Sequence, residues 1–190
     1  MCIRDRAKAG YEIVEVEAPM LDEIGMVAYR VLMGEVKALM GADIEQHGSP
    51  TLKSIFAEYF NQFPPYEGVE QLQMMAKRSY YAREWSLFQQ QYPLLLTPFL
   101  PQPFFAPDRD AQGPEGVRDA LGSAVWSYSM NYLGLPAGNV PAGMIKTNNG
   151  QQPANVQIIG QRWREDLIVD AMIAIEDYAG RTCDTLWKLM

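Results

Sequence analysis

Acyl-transfer hydrolysis needs a nucleophile, a base that takes its proton, and donors for the developing oxyanion. The 190-residue sequence supplies few groups for these roles. His47 is the sole histidine, and no local feature ties it to a serine. A polar loop residue is the simplest account of it. Gly122-Ser123 is flanked by Ala120, Leu121 and Ala124, so it reads as a small-residue helix contact, whereas Gly48-Ser49 has the form of a helix cap. There is no GxSxG elbow, Walker A loop, GxGxxG or HExxH. The acid pairs Glu165-Asp166 and Glu176-Asp177 fit solvated helix faces or partners of a helix dipole. Trp126 and Tyr128 could line a pocket, but aromatics at such spacing are more often core residues. By residue inventory alone, nothing in the chain catalyses a reaction.

Composition sets the outer limits. The chain is 48% hydrophobic and 21% charged, ordinary for a globular domain, and its length suits one core. A net charge of -7 argues against a nucleic-acid surface, because phosphate neutralisation needs clustered Lys and Arg. Cys2 and Cys183 lack CxxC-type neighbours, so neither a zinc site nor a disulfide scaffold is expected, and a reducing, cytoplasmic location is. No apolar run approaches the roughly 18 residues that span a bilayer, so no membrane association is expected. Residues 1–6, Met-Cys-Ile-Arg-Asp-Arg, resemble the translated adapter found at broken ends of metagenomic gene models. On that reading native sequence starts near Ala7.

The elements that would position any site follow from periodicity. Residues 11–16 alternate β-formers with glutamates and predict a short strand. Ile24, Val27, Ala28, Val31 and Leu32 form one helical face in a helix from Met20 to about Leu39. Ser49 caps the next helix, Pro50 fits its first position, and Leu52, Ile55, Phe56, Tyr59 and Phe60 make its stripe. A longer helix over 69–91 is expected to bury Leu72, Met75, Ala76, Tyr80 and Phe88. Residues 94–97 read as a fully buried strand, followed by a proline-rich loop carrying Pro98, Pro101, Pro103 and Pro107. One helix over 117–133, two short strands near 138–141 and 154–159 joined by an Asn148-Asn149-Gly150 turn, and a final helix with Leu167, Ile168, Ala171, Met172 and Ile175 complete the chain. The class is α/β, a mixed β-sheet flanked by helices. Four scattered strands would expose sheet edges unless further strands pair with them, which suggests a truncated chain.

The stretch from Asn131 to Ala179 adds a family. Asn131, Gly134, Pro136, Ala137, Pro141 and Gly143 match the amidase-signature segment N-x-x-G-x-P-A-x-x-x-P-x-G. Residues 152–160, with Pro153, Gln157 and Gly160, are similar to its L-P-x-G-x-Q-hydrophobic-hydrophobic-G. Residues 163–166 then open a helix as that family's E-x-x-L helix does. Upstream, residues 94–98 resemble its D-hydrophobic-hydrophobic-hydrophobic-T-P strand, with Pro93 where Asp is frequent, and residues 10–16 resemble the strand after its catalytic core. The resemblance covers nearly all of residues 8–180.

It implies that residues 7–190 are the C-terminal part of one amidase domain. The family's lysine, cis-serine and nucleophilic serine lie in an earlier Gly/Ser-rich region, and nothing like Gly-Gly-Ser-Ser-Gly-Gly-Ser occurs here. No catalytic residue is therefore assigned, and the chain alone is expected to be inactive. The resemblance places Thr97, Pro98, Trp126, Tyr128 and Asn131 near the substrate pocket. It implies no cofactor and no metal, a small-molecule amide as substrate, and leaves room for a homodimer. The A subunits of tRNA-dependent amidotransferases usually carry an acid near the position of Ala124, so this neutral residue favours a general amidase. A glutamine-hydrolysing subunit and a non-catalytic binding module descended from an amidase remain as alternatives.

Overall fold

The computed structural model describes residues 10–102, 105–147 and 150–188. The adapter-like residues 1–6 with Cys2, and Pro103, Asn148 and Asn149, lie outside them. The helices are α1 (Leu21–His47), α2 (Pro50–Gln62), α3 (Gly68–Gln91), α4 (Gly113–Ala120), α5 (Val125–Leu133), α6 (Glu165–Ala179) and α7 (Thr182–Leu186). The strands are β1 (Leu94–Pro98), β2 (Ala137–Thr147) and β3 (Gly150–Gly160). The chain divides into two compact units. One holds Met1–Pro19, Trp85–Phe99 and Gly134–Met190, and the other Met20–Glu84 and Leu100–Leu133.

The first unit is built on an antiparallel sheet of order β1-β3-β2. Its period-two alternation separates two faces. Leu94 and Leu96 on β1, Ile158 and Gly160 on β3, and Gly138 and Val140 on β2 share the face covered by α6, where Ile168, Ala171 and Ile175 are buried. Two glycines let α6 approach closely: a Cβ on Gly160 would lie 2.8 Å from Ile168 Cγ1, and one on Gly138 would lie 2.8 Å from Ile168 Cγ2. In the same unit Trp85 is fully buried, and its indole N–H donates to the Pro19 carbonyl at 3.0 Å.

The second unit packs helices around Tyr29, Met33, Phe63 and Leu121. The Tyr29 ring lies 4.5 Å from both Phe63 and Tyr128, and its hydroxyl donates to the Leu121 carbonyl. Ser49 caps α2 as expected, its hydroxyl accepting from Leu52 N at 3.2 Å. Lys77 and Tyr81 of α3 both donate to Glu23 Oε1 of α1, each at 2.7 Å.

The Lys77 ammonium first, and then the Tyr81 hydroxyl, hold the Glu23 carboxyl below its ordinary value of 4.5. Between the two values the unfolded chain binds more protons, so stability rises with pH there. The contribution of Glu23 is thus complete above pH 4.5 and is lost as pH falls through the folded value. Glu23→Gln is expected to lower the melting temperature near neutral pH, with the gap to wild type closing in acid. A gap that stays constant down to the acid end would contradict this.

Several expectations are corrected. Residues 11–18 form no strand, because a ladder needs a partner and none of the described strands pairs with them. Helix α1 runs past Leu39 to His47, where Gly48 N closes on the Ile44 carbonyl. The expected helix over 117–133 breaks into α4, a 3-10 turn at Gly122–Ala124, and α5. The two C-terminal strands are longer than expected, and with no strand at residues 11–18 the described sheet has three strands and not four. Helix α3 buries Tyr81, Trp85 and Gln89 and not the expected stripe, since Leu72, Met75 and Tyr80 are exposed. The reason is polar: Tyr81 and Trp85 carry donors that find Glu23 and Pro19, and those bonds set the helix rotation. None of the described helices is long and apolar enough to cross a membrane.

Candidate functional site

In the first unit, Thr97 and Pro98 end β1 and point to opposite sheet faces. Pro98 lies on the α6 side and is exposed, whereas Thr97 lies on the other side at 6% exposure. Thr97 is in register with Gln157 of β3, which is in register with Asn139 of β2. This polar row follows an apolar one, Leu95, Ile159 and Ala137. Gln157 is 2% exposed, and its Nε2 donates to Thr97 Oγ1 at 3.2 Å. A carboxamide buried in a sheet costs free energy unless bonded, so the Thr97 bond is part of what lets Gln157 sit there. Sequence reading left Gln157 as a motif letter. The signal was a polar residue inside the apolar run 156–159, and strand register turns that signal into a partner.

The other candidates belong to the second unit, on α5. Trp126 is half-buried. Tyr128 is half-buried against Tyr29, and burial raises its phenol above the ordinary value. That is a packing environment. Asn131 is exposed, and its amide donates to the Ser127 carbonyl one turn back at 3.1 Å. A cleft of about 710 Å³ in this unit is lined in part by Ser54, Glu58, Asn61, Asp110 and Pro114, and by none of these candidates. Among the described residues no group of three or more His, Cys, Asp or Glu side chains has the arrangement of a metal site.

The Amidase family model matches residues 1–169. The chain belongs to the amidase family. An indoleacetamide hydrolase from Bradyrhizobium japonicum is 28% identical over 184 residues, covering 96% of this amidase-family chain and 39% of that protein. The A subunit of a glutamyl-tRNA(Gln) amidotransferase from Deinococcus deserti is 32% identical over 103 residues, 54% of this chain and 20% of the subunit. Among solved structures, 6-aminohexanoate cyclic dimer hydrolase complexed with substrate superposes with a TM-score of 0.68 at 19% identity, covering 95% of this chain and 40% of that one. That likeness bears out the α/β class. The amidase-family chain therefore spans about two-fifths of the length of the indoleacetamide hydrolase it matches.

Proposed function

We propose that this chain is the C-terminal part of an amidase that hydrolyses a small aryl or alkyl carboxamide to a carboxylate and ammonia or amine. The observation that carries the reading is the match of the family model over residues 1–169, joined to an indoleacetamide hydrolase relative aligned over 96% of the chain. On this reading the nucleophilic serine, cis-serine and lysine lie outside the chain. The serine attacks the carbonyl carbon, the amine leaves with a proton relayed through the cis-serine and lysine, and water then cleaves the acyl-enzyme. This chain contributes scaffold and pocket wall, with Thr97, Pro98, Trp126, Tyr128 and Asn131 bordering the substrate and no cofactor taking part.

Expression of the complete reading frame is expected to give ammonia release from indole-3-acetamide, while the 190-residue chain alone gives none above background. Turnover by the isolated chain would place the catalytic groups inside it and overturn the reading. The amidotransferase alternative has its own support in the Deinococcus match. Ala124 argues the other way, being neutral and 8% exposed where that subunit type usually carries an acid. Glutaminase activity and co-purifying partner subunits would favour the alternative.

A further inference from the structure

We propose that the cleft between α2 and the start of α4 is a binding site for an alkylammonium cation. The cleft lies wholly in the second unit and holds about 710 Å³. Its lining is of two kinds. Ile55 and Val117 supply apolar surface, whereas Glu58 and Asp110 supply carboxylates and Ser54 a hydroxyl. Among the described residues no Lys, Arg or His lines it. An apolar stem ending in an ammonium group is the ligand chemistry that matches both kinds of surface. The inference stands on this cleft alone and does not draw on the amidase reading.

Both carboxylates are held in place and lack a counter-charge. Gln62 Nε2 donates to Glu58 Oε1 at 2.7 Å and to the Pro114 carbonyl at 2.8 Å, a bridge that ties one wall of the cleft to the other. Glu58 Oε2 has no partner among the described residues. Arg109, the cation next to Asp110 in the chain, is committed elsewhere. Its Nε and Nη2 donate to Asp119 Oδ2 at 3.0 and 2.6 Å, and its Nη1 donates to Gln112 at 2.9 Å. Asp110 is thus half-buried with no cation paired to it among the described residues. Its charge is felt nearby: the Tyr59 phenol is pushed up to about 12, by burial first and by Asp110 next. The first turns of α2 and α4 also line the cleft. Each helix start carries roughly half a positive charge, so two full carboxylates outweigh the pair and the cleft favours a cation.

The test is calorimetric titration of the product of the complete reading frame at low salt, with 1,5-diaminopentane, 1-pentanol and pentanoate as probes. The diamine is expected to bind at one site per chain, and the alcohol and the carboxylate are expected not to bind. Glu58→Gln and Asp110→Asn keep side-chain shape and leave an acceptor for Gln62, and each should weaken diamine binding about fivefold. Ser54 is exposed on α2, so Ser54→Trp should leave the fold intact, fill the cleft and abolish binding. That variant decides the matter if a carboxylate variant melts below wild type. Glu176→Gln, on the exposed face of α6 in the other unit, removes the same charge and should leave the affinity unchanged. Three results overturn the inference: no diamine binding by wild type, pentanoate binding as tight as the diamine, or unchanged diamine affinity in Ser54→Trp. Equal weakening by Glu176→Gln and Asp110→Asn also overturns it, because the attraction would then belong to the net charge and not to the cleft. Each of these leaves the amidase reading in place, since ammonia release from indole-3-acetamide is measured separately.

Discussion

Trp85→Ala is expected to lower the unfolding free energy by about 3–5 kcal/mol, the range for deleting a buried aromatic. Trp85 is fully buried, and its N–H satisfies the Pro19 carbonyl at 3.0 Å. The alanine variant loses the indole's apolar burial, leaves a cavity and strips that carbonyl of its donor. For a chain of this size the loss corresponds to a fall in melting temperature of about 6–20 °C. Trp85→Phe keeps most of the ring and is expected to cost about 1–3 kcal/mol, chiefly from the orphaned carbonyl. Tyr80→Ala is the control, because Tyr80 is 52% exposed and its loss should stay within about 0.5 kcal/mol. Urea unfolding of the variants decides the matter. Equal effects at positions 80 and 85 would mean that α3 is rotated from the orientation described.

The second large effect concerns the contact between sheet and helix. Gly160→Ala puts a Cβ 2.8 Å from Ile168 Cγ1 and 2.9 Å from Ile168 Cδ1, with Leu94 Cδ2 at 3.5 Å. Ile168 is itself buried among Val140, Ile158 and Ile175, so it has little room to yield. Overpacking of this kind costs about 1–3 kcal/mol. Ile168→Ala alone is expected to cost about 2–5 kcal/mol as a cavity. Together the two changes should cost less than their sum by about 1 kcal/mol or more, since the shortened side chain vacates the space the new methyl needs. Additive losses in a double-mutant cycle would show that the strain at Gly160 arises elsewhere.

Much of this architecture was legible where the signal is local. Ser49 caps α2 because a hydroxyl three residues from an unsatisfied N–H closes that bond in any context. The run 94–97 became a strand, but an edge strand of the described sheet with Leu94 and Leu96 half-buried, and not the fully buried strand expected. Ile168, Ala171 and Ile175 became the buried stripe of α6, because helical hydrophobic period reports burial directly. What failed depended on distant partners. Helix α3 has apolar residues on more than one face, and its rotation is chosen by Glu23 and Pro19, more than fifty residues away in sequence. The strand expected at 11–16 had the right alternation and no neighbour among the described strands. Thr97 could be picked out through its Thr-Pro motif, but Gln157 could not, because only strand register brings the two together.

That register also orders events in time. The β2–β3 hairpin pairs segments adjacent in sequence, so it can close on the microsecond scale typical of hairpins. Thr97 meets Gln157, 60 positions further along the chain, only after the intervening segment has been looped out. Loop-closure entropy penalises such a contact until the hairpin offers an edge to dock on. The Thr97–Gln157 hydrogen bond should therefore be among the last contacts made during refolding, lagging behind the bulk return of secondary structure.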